Sequence, residues 1–178
     1  MVVSSVKSSL LSLTKFVHSP REILIFLNNI LYEEVKEQKF VSILLCMFES
    51  GKGVLKYSSA GHERILIYRT DQTGIPEVEI VKSGGVVLGV IPVVESFLEE
   101  NTLFLRKGDK VLLYTDGVTE ARNSQGEFFG ISRLKESFQK YATLPIKEVV
   151  HNVHQEIKSF ISMQKPYDDI TLVGIEKT

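Results

Sequence analysis

Val111-Leu112-Leu113-Tyr114-Thr115-Asp116-Gly117-Val118-Thr119-Glu120 is the stretch around which this chain is organised. An apolar run with a β-branched start ends in a polar residue, a carboxylate and a glycine. A buried strand has this form when it delivers an acid to its own tip and then turns sharply. Lys107-Gly108-Asp109 supplies a turn just upstream. A second stretch of the kind closes the chain: Tyr167-Asp168-Asp169-Ile170-Thr171-Leu172-Val173-Gly174-Ile175, with the acids at the start of an apolar strand. Two such strands can bring their carboxylates to a common sheet edge. Acids gathered there repel one another unless protons or cations neutralise them. A metal ion is the simplest neutraliser.

The bulk properties narrow the field. With 178 residues, 43% hydrophobic and 24% charged, the chain is expected to form one domain of an ordinary globular kind. A net charge of −1 argues against a nucleic-acid partner held by a basic surface. No run approaches the roughly 20 apolar residues of a membrane helix, and the serine-rich start lacks the basic region of a signal peptide. Cys46 is the single cysteine, which excludes an internal disulfide and a cysteine-rich zinc site. A reduced, cytoplasmic setting is the expectation.

Along the chain, Val2, Val3, Val6, Leu10, Leu13 and Val17 recur at helical spacing. Ser19-Pro20-Arg21-Glu22 supplies a cap, a proline at the first helical position and an early acid, opening a helix to about Glu37. Residues 1–37 thus form a helical pair, and 40–178 the sheet with its flanking helices. Phe40–Phe48 is expected as an interior strand, followed by strands at 54–59 and 64–69 in an antiparallel meander. Residues 70–77 form a polar loop before a short strand at 78–81. Val86–Pro92, punctuated by glycine and proline, is expected to be mobile, and Ser96–Leu105 to pair with the 111–115 strand. Ser132 caps a helix to about Tyr141, and Pro145 opens a longer one that Lys165-Pro166 ends. Strands and helices are segregated, so the class is α+β.

Ala60-Gly61-His62, Leu88-Gly89, Gly108-Asp109, Tyr114–Glu120, Phe129-Gly130 and Asp168-Asp169-Ile170-Thr171 follow one another in an order that resembles the PPM-type bacterial serine/threonine protein phosphatases of the stage II sporulation E-like group. The resemblance covers about Val2 to Glu176. It implies an antiparallel β-sandwich flanked by helices, with a two-metal centre at one edge. By this resemblance Asp116 and Asp168 are metal ligands, the Gly117 backbone approaches the site, and Asp169 is a second acid of lower rank, as a cap or outer residue. Glu120, one helical turn beyond Asp116, is placed to accept a bond from metal-bound water. Hard oxygen donors suit Mn²⁺ or Mg²⁺ rather than zinc. A pair of such ions activates water for in-line attack on phosphate, so no protein nucleophile is needed.

The function implied is metal-dependent dephosphorylation of a phosphoserine or phosphothreonine on a small regulatory protein of the anti-sigma-factor antagonist type, under an upstream sensor. The family also carries a Gly-Asp-aromatic-aromatic-Asp motif and a Gly-Asp-Val-Ser-Gly-His-Gly motif upstream; nothing before Val41 contains an aspartate. The expectation is therefore an N-terminally truncated domain, inactive alone, whose uncovered sheet drives homo-oligomerisation. The rival is a non-catalytic pseudophosphatase or dimerising binding module. A zinc hydrolase lacks ligands.

Plainer readings stand beside these. Asp116 before a glycine is also a turn residue, and Asp169 also a strand cap. His62 is expected to be a turn histidine. His151 and His154, three apart, have no third ligand near and suit a solvated helix face. Cys46 fits a buried strand.

Overall fold

The computed structural model describes residues 2–35, 40–70, 75–162 and 168–178. Among them the elements run α1 (Val2–Leu13), α2 (Pro20–Val35), β1 (Ile43–Glu49), β2 (Val54–Ala60), β3 (Ile65–Thr70), β4 (Pro76–Val81), β5 (Asn101–Phe104), β6 (Lys110–Tyr114), α3 (Asp116–Thr119), α4 (Gly130–Tyr141), α5 (Ile146–Ile161) and β7 (Leu172–Glu176). The strands form two antiparallel sheets, ordered β1-β2-β5 and β4-β3-β6-β7, so the α+β expectation holds. The chain divides into two compact units, Met1–His62 with Ser83–Phe104, and Glu63–Lys82 with Leu105–Thr178. The expected end of the second helix at Glu37, residues 71–74 of the polar loop expected at 70–77, and the Lys165-Pro166 stop lie outside the described residues; Thr70, Pro76 and Glu77 of that loop belong to β3 and β4 instead.

In the first unit, Ser19 caps α2 as its sequence suggests: its hydroxyl oxygen accepts the Glu22 N–H at 3.1 Å and donates to the Glu100 carboxylate. Arg21 adds bonds from Nε to Leu98 O (2.7 Å) and from Nη2 to Glu95 O (2.6 Å). Ile23, Leu24, Leu27 and Leu31 of α2 then bury against Ala60, Leu88, Val94 and Leu98, the helical spacing giving one continuous apolar stripe.

Three strand expectations fail here. β1 is an edge strand, with Ile43 to Phe48 all half-buried, because an unbroken apolar run does not tell an interior strand from an edge one. The meander breaks after β2: Gly61 turns the chain at φ +67°, and β3 pairs with β4 and β6 instead. β5 pairs with β2 rather than with β6. The 106–109 turn serves β7 instead, for Gly108 N–H donates to Lys177 O (2.8 Å) and Lys177 N–H to Asp109 O (3.0 Å).

Residues 86–92 are not a strand, yet neither are they loosely held. Val41 and Leu88 exchange two backbone bonds, 3.1 and 2.9 Å, and Leu88 is wholly buried. The buried Asn28 amide donates to Ile91 O (3.0 Å) and accepts the Gly89 N–H (2.9 Å). A fully buried side-chain amide is retained where it satisfies backbone groups that would otherwise be orphaned.

In the second unit, Val149, Val153, Ile157 and Ile161 of α5 and Leu134 and Phe138 of α4 pack with Leu66, Val78, Leu112 and Tyr114 of the sheet. α4 opens at Gly130 (φ +72°), so Ser132 lies inside its first turn and is not the cap. Gly174 of β7 lets α5 sit close; a Cβ there would meet Ile146 and Val150 at 2.6 and 2.7 Å. Lys110, buried at the start of β6, donates to Ala142 O (2.7 Å) and stands 3.4 Å from Glu176 of β7. Glu176 in turn accepts the Ile146 N–H that opens α5 (3.0 Å). One charged pair thereby ties β6 and β7 to the turn between the helices.

Candidate metal centre at the β6–β7 edge

β6 and β7 are antiparallel neighbours in a register that runs from Lys110↔Glu176 to Tyr114↔Leu172. The end of one strand therefore meets the start of the other. The two acid-bearing tips fall at one sheet edge, as the sequence suggests. Beyond the ladder, Thr115 continues extended (φ −93°, ψ 160°) and the chain then turns into the single helical turn α3.

Asp116 begins that turn, exposed, with its Oδ1 accepting the Gly117 N–H at 2.9 Å. Gly117 is buried, and a Cβ there would stand 2.4 Å from Asp169 O and 3.4 Å from Asp168 C. This backbone contact brings the Asp168-Asp169 peptide against the residue that follows Asp116. Asp168 and Asp169 are themselves exposed, and Asp168 Oδ1 accepts the Asp169 N–H at 2.7 Å. Glu120 closes α3 through its N–H, bonded to Asp116 O at 2.8 Å, with its side chain exposed.

The donor chemistry fits a hard divalent cation. All three aspartates offer carboxylate oxygens in an open setting, and Gly117, lacking a Cβ, lets the Asp168-Asp169 backbone pack directly on the residue after Asp116. Among the described residues no group of three or more His, Cys, Asp or Glu side chains stands together as a metal-binding cluster, these three aspartates included.

Other residues singled out in the sequence lie elsewhere. His62 is a turn residue whose N–H reaches Ser59 Oγ (3.3 Å) and whose carbonyl accepts from Ser83 Oγ (2.9 Å). His151 and His154 line a shallow groove with Val150, Ile170 and Leu172. Burial holds the His154 imidazole below its usual range, with Lys158 and His151 adding to the effect. Cys46 is half-buried, and its thiol is pushed up to about 11 by that burial. Thr115 carried no role in the sequence reading. Its hydroxyl donates to Asp169 O (2.9 Å) and accepts the Thr171 N–H (3.0 Å), contacts that local sequence does not signal.

With the geometry described, comparison with known proteins gives a consistent answer. The family model for stage II sporulation protein E matches residues 1–178. Protein IcfG of Synechocystis sp. is 32% identical over 137 residues, which cover 76% of this chain and 20% of that protein. Phosphoserine phosphatase RsbU of Bacillus subtilis is 25% identical over 177 residues, 99% of this chain and 51% of RsbU. The chain thus spans about half or less of the length of these relatives. In three dimensions it is similar to the RsbU and RsbW domains of Rv1364c from Mycobacterium tuberculosis, with a TM-score of 0.79 at 20% identity over 99% of this chain and 47% of that one.

Proposed function

The chain belongs to the stage II sporulation protein E family of PPM-type domains, and on that premise we propose that it is the greater part of a metal-dependent protein serine/threonine phosphatase. In this reading both compact units belong to one catalytic domain. The observation that carries it is the contact of Gly117 with the Asp168-Asp169 backbone, which joins the main chains of the two acid-bearing strand tips. Asp116 and Asp168 would hold Mn²⁺ or Mg²⁺, Asp169 would act as an outer acid, and Glu120 would accept a hydrogen bond from nearby water. Bound there, the ion supplies positive charge to neutralise phosphate oxygens and lowers the pKa of water. The residues of the chain orient that centre and leave it open for a phosphorylated side chain.

The substrate we propose is a phosphoserine or phosphothreonine of a small regulatory protein of the anti-sigma-factor antagonist type. The similarity to a phosphoserine phosphatase supports serine. An upstream sensor would control the activity. Self-association is also proposed, supported by Phe104, 71% exposed on the edge strand β5. A concentration-independent monomer in sedimentation velocity overturns that part.

Because Asp116 and Asp168 supply only part of a shell, residues 1–178 alone should bind at most one Mn²⁺, weakly, and turn over little. Calorimetric titration with Mn²⁺, paired with hydrolysis of p-nitrophenyl phosphate, tests this. The expected result is one weak event that disappears in Asp116→Asn. Binding unchanged in Asp116→Asn overturns the metal assignment, and tight two-site binding overturns the inactivity. Capture of the phosphoprotein without Mn²⁺ or hydrolysis favours the non-catalytic binding module.

A further inference from the structure

Thr115 occupies the N-cap position of α3, where a threonine oxygen ordinarily turns back on an amide of its own helix. No such bond is made. The hydroxyl is directed instead across the strand pair, donating to Asp169 O at 2.9 Å and accepting the Thr171 N–H at 3.0 Å. The Thr115 N–H adds a third bond, to Thr171 O at 3.2 Å. These contacts lie past the last ladder pair, Tyr114↔Leu172, where the β7 side leaves the sheet and becomes exposed. They therefore hold the segment that carries Asp168 and Asp169 at the point where strand pairing has stopped doing so.

We infer that Thr115 is a positioning residue for the metal centre: its hydroxyl fixes the Asp169–Thr171 backbone and so sets where the Asp168 and Asp169 carboxylates stand beside Asp116. The inference rests on the reading of Asp116 and Asp168 as metal ligands. The hydroxyl is engaged on both sides by main-chain groups. It acts through the backbone, with one oxygen serving as donor and acceptor at once, which no aliphatic side chain of the same shape can do.

The test compares Thr115→Val, Thr115→Ser and Asp168→Asn in the full chain, with Mn²⁺ as the probe. Valine keeps the β-branched shape suited to an extended backbone, and circular dichroism and thermal unfolding check that the fold is retained. Thr115→Val is expected to weaken Mn²⁺ binding about tenfold, the low end for outer-shell partners. Thr115→Ser restores affinity to within about twofold, since it keeps the hydroxyl. Hydrogen exchange at the Thr171 amide gives a readout that needs no metal: about tenfold faster in Thr115→Val, unchanged in Thr115→Ser. Unchanged Thr171 exchange in the valine variant overturns the inference, as does Mn²⁺ affinity equal to wild type while Asp168→Asn lowers it. If Asp168→Asn matches wild type in Mn²⁺ response, including no response by either, the metal reading falls, and the inferred role at that centre falls with it. The exchange result then still reports whether the hydroxyl holds the segment.

Discussion

Gly117 and Asp169 meet backbone to backbone: a Cβ on Gly117 would lie 2.4 Å from the Asp169 carbonyl oxygen, closer than side-chain carbons approach. The neighbour is main chain, held by its own bonds to Thr115, and cannot swing aside as a flexible side chain would.

Gly117→Ala therefore sets two effects against each other. Alanine favours a helical turn by up to about 1 kcal/mol, but the overlap forces β6 and the 168–171 segment apart at about 1–3 kcal/mol. The clash is expected to win, with a lower urea midpoint and a weaker Mn²⁺ response. Gly51→Ala, where nothing lies within 4 Å, should stay within about 0.5 kcal/mol of wild type.

Asn28→Leu should lower stability by about 2–3 kcal/mol, because it leaves the Gly89 N–H and Ile91 O without their buried partner. Exchange of the Gly89 amide should quicken before global unfolding. An unaltered Gly89 rate would mean that the 88–92 segment is held by Leu88 packing and the Val41 bridge alone.

Removing the Lys110 ammonium strands the Ala142 carbonyl and leaves Glu176 without its cation. Glu176 keeps the Ile146 N–H and is 23% exposed, so the loss falls below that of a fully buried pair. Lys110→Ala is expected to cost about 2–3 kcal/mol in urea unfolding, and Lys110→Met less, since it refills the apolar stem.

A pH effect should come from His154, whose folded-state pKa is depressed by burial, then by Lys158 and His151. The unfolded chain takes up the proton first as pH falls below its ordinary value of 6.5, so stability present above that pH is lost as pH drops through the lower folded value. His154→Gln is expected to flatten this decline in thermal unfolding scans. An identical slope in the variant would assign the decline to other groups.

The acid-bearing strand tips were legible because their cause is local. An apolar run that ends in Asp-Gly, and another that begins with Asp-Asp, carry acids to strand tips whichever neighbours they find. Partner choice was not legible. Residues 65–70 alternate correctly for a strand, but alternation says nothing of which sheet receives it, and β3 leaves β2 for β4 and β6. The glycine and proline at 89 and 92 suggest looseness, while the amide that pins them belongs to Asn28, far upstream in a helix. Ser132 has the composition of a cap, yet the helix already begins at Gly130, two residues earlier. Thr115 is silent for the same reason: its partners are 54 and 56 residues away.

That separation has a kinetic consequence. The β6 tip must wait for a segment 54 residues further along the chain, and closing so long a loop as free coil carries a large entropic barrier. α4 and α5 shorten the search, since their mutual contacts are near in sequence and can form early, carrying β7 back toward β6 as a pre-assembled hairpin. The expected order of assembly runs from helix pair to strand to the β6–β7 tips, with the acids the last to meet. Trimming Val153, buried in the core that α4 and α5 share with the sheet, should slow the appearance of Mn²⁺ binding during refolding more than it alters the final affinity.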